Sequence, residues 1–277
     1  IMQTSTAGST NLALGFLYLG PVGLLIGFIV GRFFAAYILA YKFVFNIKEK
    51  FAGITFENIL EVAKEYYYFP KYNMPHALLN TLSSNFPILL LTSYFPISFI
   101  GWYNFTIYVM LTPMTLISAS TAQVFLQKVT SSSNAGDKIL PSIKRIIKNL
   151  FFIGIVPVIV FMIFAPDLFS FVFGEEWVES GHYAQLLLPY FFMVFIVSTI
   201  SFVPAVLKQQ KKALVLEIIY FVLKLIALII GIILMDFMLS LILFSFAGII
   251  MLSYNLFWIL KISKKHDSSL IKPANNN

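Results

Sequence analysis

Residues 217–234 read EIIYFVLKLIALIIGIIL, an aliphatic and aromatic run broken by Tyr220 and by Lys224 near its middle. About 20 apolar residues in a helix cross the roughly 30 Å hydrocarbon core of a bilayer, and this stretch is of that length. Working outward, blocks of the same kind recur along the chain, expected at 12–41, 76–95, 98–125, 146–165, 184–207, 213–234 and 237–260. Their length points to spanning helices, because β-barrel strands would show short alternating segments. The whole composition agrees, with 59% hydrophobic and only 11% charged residues, against about 25% charged in an ordinary soluble domain. The fold class expected is an all-α integral membrane protein of about seven transmembrane helices.

The net charge of +7 raises nucleic-acid binding as one reading, but in a membrane protein the position of the charges decides. Basic residues cluster in alternate connections: Lys42 to Lys71, Lys128 to Lys148, Lys208 to Lys212, and Lys261 to Lys272. The connections between them, Phe95–Phe99, Asp167–Tyr183 and Met235–Asp236, carry no Lys or Arg and hold Asp167, Glu175, Glu176, Glu179 and Asp236. The positive-inside rule then places the long 42–75 linker and the C-terminus in the cytoplasm. Within that linker Phe56, Ile59, Leu60, Ala63 and Tyr67 recur at helical spacing opposite Glu57, Glu61, Lys64 and Glu65, which predicts an amphipathic surface helix. The chain starts without a methionine or a basic signal-peptide region, and the expectation is a piece that lacks upstream membrane segments.

Two basic residues fall inside spans. Lys224 lies 11 positions beyond Ala213, roughly 16 Å into the core at about 1.5 Å per residue. Its stem is too short to reach the headgroups easily, so snorkelling is the weaker reading, and a cation that deep costs about 2.5–3.5 kcal/mol unless it faces water or a partner. Glu217, Tyr220 and Gly231 share its face. A Glu217–Lys224 pair is one account and a cation facing a hydrated cavity is the favoured one. Arg32 follows about 20 apolar residues and reads equally as a functional cation or a boundary anchor.

The 76–95 span carries His76, Asn80 and Ser84 beside Thr81 and Asn85, two polar rows at four-residue spacing. They read either as hydrogen-bonding glue between helices or as the wall of a cavity, and His76 reads as an interfacial residue. Pro87, Pro113, Pro157, Pro189 and Pro204 lie inside expected spans, where each removes a backbone hydrogen bond and permits bending. Gly23, Gly27 and Gly31 form a close-packing stripe. The 14 glycines make no nucleotide-binding loop, no HExxH is present, and there is no cysteine; the chain is read as neither an enzyme nor a holder of metal or cofactor. The acidic residues of 167–183 read as solvated loop charges.

Three stretches together, KYNMPHALLNTLSSNFPILLLTSYF (71–95), QVFLQKVT (123–130) and PDLFSFVFGEEWVESGHYAQLLLP (166–189), resemble the polysaccharide-biosynthesis flippases. These are the O-antigen, or Wzx-type, branch of the multidrug/oligosaccharidyl-lipid/polysaccharide exporter superfamily. Phe173 to Trp177, followed by Gly181, Tyr183 and Ala184, is the most specific part. The resemblance implies two six-helix halves around a central cavity, with 1–41 ending the first half, 76–260 forming the second and 261–277 a cytoplasmic tail. It implies transport of an undecaprenyl-diphosphate-linked oligosaccharide across the bacterial inner membrane by alternating access, with the lipid-linked glycan, membrane lipids and the polysaccharide polymerase and chain-length machinery as partners. Lys224 would then meet the diphosphate or an anionic sugar, with Asn80, Ser84 and Asn85 bonding sugar hydroxyls and Glu217, Tyr220 and Arg32 beside them. A cation-coupled multidrug exporter of the same superfamily, a non-transporting truncated fragment and a membrane glycosyltransferase or polymerase stand as alternatives.

Overall fold

The computed structural model describes residues 29–34, 36–38, 40–41, 55–67 and 69–271. The chain forms two compact units, Ile1–Tyr66 and Tyr67–Asn277. In the first, the described residues between 29 and 41 are helical, and most of the expected 12–41 span, with Gly23 and Gly27, lies outside the described residues. The predicted amphipathic helix is present as α1 (Phe56–Glu65). Its first turn is capped by Thr55, whose side-chain oxygen accepts from the Asn58 N–H at 3.3 Å, satisfying one of the donors a helix start leaves unpaired.

The second unit contains α2 (Met74–Thr92), α3 (Ile97–Asn134), α4 (Leu140–Phe173), α5 (Val178–Ile200), the short α6 (Val203–Val206), α7 (Gln210–Ile233) and α8 (Phe237–Ile271). No strand occurs among the described residues. Among the described residues five helical segments are long and apolar enough to cross a membrane, those of α3, α4, α5 with α6, α7 and α8. The protein is an all-α integral membrane protein. The expected 76–95 span is also helical, as the 19 residues of α2, but His76, Asn80 and Asn85 keep it less hydrophobic than the other five.

Several connections expected from the apolar blocks are instead helix. α3 runs to Asn134 rather than 125, α4 starts at Leu140 rather than 146 and reaches Phe173 rather than 165, and α8 continues through the supposed tail to Ile271. A block ends where hydropathy falls, whereas a helix ends where its backbone is capped. At about 1.5 Å per residue a 38-residue α3 is roughly 57 Å long, well beyond the hydrocarbon core. The break after α4 falls at Gly174, with φ +105°, a conformation open to glycine and strained for other residues. The Asp167–Tyr183 connection thus shrinks to Gly174 and a single 3₁₀ turn, Glu175–Trp177. In the 42–75 stretch a π-helical turn, Phe69–Asn73, leads directly into α2. The expected 184–207 span breaks at Ser201–Phe202, just ahead of Pro204, which has no N–H to continue the helix ladder and sits in the first turn of the short helix that follows.

α5 is the hub, with 13 of its 23 residues buried; it packs on α3, α4 and α8, as expected for a helix that is hydrophobic all round. One core cluster gathers Leu187, Leu188, Phe191, Leu228 and Leu241, and a second gathers Ile143, Ile146, Ile200 and Ile259. Outward faces such as Phe152, Ile159, Phe164 and Phe171 are exposed and suit hydrocarbon. The basic residues gather at one end of this unit: Lys212 lies 5.2 Å from the Trp258 ring, and the Asp267 carboxylate accepts the Ile139 and Leu140 N–H groups at 2.9 and 3.1 Å.

Candidate functional site

Lys224 stands on α7, 14 residues from Gln210 and 9 from Ile233, so roughly 21 Å and 14 Å from the helix ends. Its residue is 5% exposed. The ammonium donates to Ser83 Oγ of α2 at 3.2 Å and sits over three rings, Tyr220 at 4.0 Å, Phe244 at 5.0 Å and Tyr190 at 5.4 Å. Cation–π attraction of this kind grows when the charge is desolvated, to about 2 kcal/mol or more. Among the described residues Lys224 makes no ion pair. The proposed Glu217–Lys224 contact does not form; Glu217 instead faces His76 of α2, with 3.9 Å between Oε2 and Nε2. Seven residues of helix separate the two charges along α7, about 10 Å of rise.

Lys224, Glu217 and Tyr220 share a cavity of about 340 Å³, within the range of small-molecule sites. α2 contributes His76, Asn80, Ser83 and Ser84 to its wall. α5 contributes Tyr190 and Ser198, Ser201 follows at its C-terminal end, and α8 contributes Asn255 and Trp258. The cavity occupies the half of the unit that holds the basic helix ends, running from Ala213 near the start of α7 to Lys224 at its deep end.

Of the sequence-derived candidates, the structure brings Lys224, Glu217, Tyr220, Asn80 and Ser84 to one wall. Asn85 is absent from that wall and donates to the Thr81 carbonyl at 2.8 Å. Arg32 is exposed on the helical stretch of the first unit. The residue missed on α2 is Ser83, which is 3% exposed. Its signal was available: with His76 and Asn80 it completes an i, i+4, i+7 row. Thr81, Ser84 and Asn85 are instead bonded to carbonyls four residues earlier on their own helix, at 3.0, 2.9 and 2.8 Å, the local alternative open to short polar side chains. Tyr190, Asn255 and Trp258 were also missed, because single polar or aromatic residues in apolar runs carry no spacing to mark them.

Two acceptor atoms in this wall lack donors, Glu217 Oε1 and Asn255 Oδ1. Buried polar groups are ordinarily satisfied, so these two depart from the rule.

A model of polysaccharide biosynthesis proteins matches residues 1–182 of the chain. This chain belongs to the polysaccharide biosynthesis protein family. No curated protein and no solved structure matches it. The family match covers α2, α3 and α4 and ends in the first turns of α5, so it includes Ser83 and the polar rows of α2. The helices that carry Lys224, Glu217 and Asn255 lie beyond it, and their part in the site is argued from geometry. Membership and the membrane fold together give a membrane protein of polysaccharide biosynthesis with a transport role.

Proposed function

We propose that the chain acts in a flippase that carries an undecaprenyl-diphosphate-linked oligosaccharide across the bacterial inner membrane, for O-antigen or another surface polysaccharide, by alternating access and without a covalent step. The observation that carries this reading is Lys224, a buried ammonium held by a hydroxyl and aromatic rings, with no ion pair among the described residues, at the end of a polar cavity. A buried cation without a counter-ion is costly, and an anion arriving in the cavity relieves that cost. Lysine serves phosphate as a point charge. Ser83, Asn80 and Ser198 offer hydroxyl and amide partners to sugar, and the cavity volume of about 340 Å³ suits the phosphate-proximal part of the glycan rather than a long oligosaccharide. Basic helix ends at the cavity mouth match a cytoplasmic opening, with the C-terminus on that side and the polymerase and chain-length machinery acting on the product outside.

Glu217 favours one competing reading. A buried carboxylate in the wall is what a cation-coupled exporter of organic cations would use. The two separate in one experiment on the full-length protein in its host. Lys224→Gln is expected to reduce surface polysaccharide by tenfold or more and to leave lipid-linked glycan accumulating on the cytoplasmic leaflet, at equal membrane abundance, while Lys224→Arg retains part of the activity. Unchanged glycan export in Lys224→Gln, or resistance to organic cations that depends on Glu217 alone, sinks the flippase reading.

A further inference from the structure

Glu217 presents a second problem that the phosphate reading leaves open. Its residue is 8% exposed, one carboxylate oxygen stands 3.9 Å from His76 Nε2, beyond hydrogen-bond range, and the other has no partner. An ionised carboxylate accepts at both oxygens and donates at neither, so each oxygen calls for a donor. Asn255, on the facing helix α8, adds a second unpartnered acceptor oxygen to the same cavity wall. The terminal torsions of Glu and Asn are broad, so both oxygens turn toward a cavity occupant at low cost. No donor of the described wall is hydrogen-bonded to either oxygen.

We infer that Glu217 and Asn255 form an acceptor subsite, about 10 Å along α7 from Lys224, that takes the hydroxyl or amino donors of a neutral or amino sugar and rejects an acidic one. The inference rests on the flippase reading and sharpens it to a substrate class: the sugar next to the lipid diphosphate bears donors and no carboxylate at this position. The cavity is then polarised, with a cation at its deep end for phosphate and acceptors nearer its mouth for sugar. A uronic acid at the acceptor end would set carboxylate against carboxylate in a low-dielectric wall, where like charges repel strongly, while a hydroxyl or ammonium there would complete a charge-assisted hydrogen bond. Discrimination by a buried, otherwise unpaired polar group is among the strongest that a binding site achieves.

The test uses full-length protein in lipid nanodiscs and four probes on one short polyprenyl carrier: the alcohol, the diphosphate, the diphosphate bearing N-acetylhexosamine, and the diphosphate bearing a hexuronic acid. Wild-type protein is expected to bind the N-acetylhexosamine probe at least about tenfold more tightly than the uronic probe, the size set by a hydrogen bond to a charged group. In Glu217→Gln, which keeps the side-chain shape, that ratio falls toward one. Asn255→Leu, of similar volume, lowers affinity for the N-acetylhexosamine probe severalfold. A wild-type preference below about twofold, or a preference that survives in Glu217→Gln with native-like elution and thermal unfolding, overturns the subsite. A diphosphate probe that binds no better than the alcohol overturns the flippase reading itself, which keeps the two failures apart.

Discussion

The second unit buries polar groups in two places, and it treats them in opposite ways. Where α3, α4 and α5 meet, at the end remote from the basic residues, no fully buried side-chain polar atom of the described residues lacks a partner. Thr106 Oγ lies 2.8 Å from the Ser180 carbonyl and 2.9 Å from that of Trp102, Ser180 Oγ donates to the Trp102 carbonyl at 3.1 Å, and Trp102 Nε1 donates to the Glu176 carbonyl at 2.9 Å. Phe105 packs against Trp177 with ring centroids 4.0 Å apart and planes tilted by 36°. In the cavity of α2, α5, α7 and α8, by contrast, a carboxylate oxygen and an amide oxygen go without donors and an ammonium goes without a carboxylate among the described residues. A closed hydrogen-bond network stabilises a fold and asks nothing of a ligand; an open one is a cost to the fold that an occupant relieves. The junction is structural and the cavity is the site.

The largest effect should follow from breaking the junction at Gly181. A Cβ there would collide with the Pro166 Cα and would lie 2.7 Å from the Pro166 nitrogen and 2.8 Å from the Ala165 carbonyl oxygen. All three are backbone atoms of α4 and cannot rotate away. Gly181→Val is therefore expected to cost about 3 kcal/mol or more, read as loss of monodisperse protein after detergent extraction. If Gly181→Val extracts and unfolds like the wild type, the tight α4–α5 approach is wrong.

Lys224→Met should do the reverse. It replaces a buried cation by an apolar side chain of similar length, a change that is often neutral or stabilising. Folded protein is expected to unfold at an equal or higher temperature, while glycan export falls tenfold or more. A marked fall in the unfolding temperature would make Lys224 a structural residue and erase the contrast between the two regions.

Thr106→Val, smaller again, removes the hydroxyl and keeps the shape. Side-chain hydrogen bonds inside membrane proteins average about 0.6 kcal/mol and reach about 1.7 kcal/mol. A drop of that size in stability, with export per folded molecule unaltered, is the expected outcome. An export defect in excess of the folding defect would extend the functional region to the junction.

What the sequence revealed follows the same division. Membrane spans and the alternation of basic ends are properties of long segments, and summed hydropathy over about 20 residues is a strong signal. Lys224 was legible because a single cation in such a segment is rare. Helix ends were not legible, since α3 and α8 continue as polar helix past the point where their apolar runs stop, at lengths fixed by Gly136, with φ +74°, and by the Asp267 contact with the start of α4. The neighbour that Glu217 faces was missed for a geometric reason. Seven residues along one helix put Lys224 out of reach, and His76 arrives from a helix more than a hundred positions earlier, through a packing that no local pattern encodes. The resemblance carried by Phe173 to Trp177 and Gly181 also changes meaning, because those residues build the junction rather than the cavity.

The smallest expected effect concerns the one hydrogen bond that Lys224 makes to a protein hydroxyl. Ser83 and Thr81 sit two residues apart on α2, and each carries a hydroxyl with a different task. Ser83 Oγ takes the Lys224 ammonium at 3.2 Å, while Thr81 Oγ1 donates to the Ala77 carbonyl of its own helix at 3.0 Å. Removing Ser83 Oγ leaves the ammonium its aromatic rings and lets cavity water replace the lost bond, so the net change is that of one exchanged hydrogen bond, about 0.5–1.5 kcal/mol. Ser83→Ala should weaken binding of the diphosphate probe about threefold. Thr81→Ala, which frees a carbonyl already held in the helix ladder, should change it by less than about twofold. Equal effects from the two variants would mean that the polar face of α2 acts as a whole through helix packing. A selective loss in Ser83→Ala ties the ammonium, the hydroxyl and the anion into one contact.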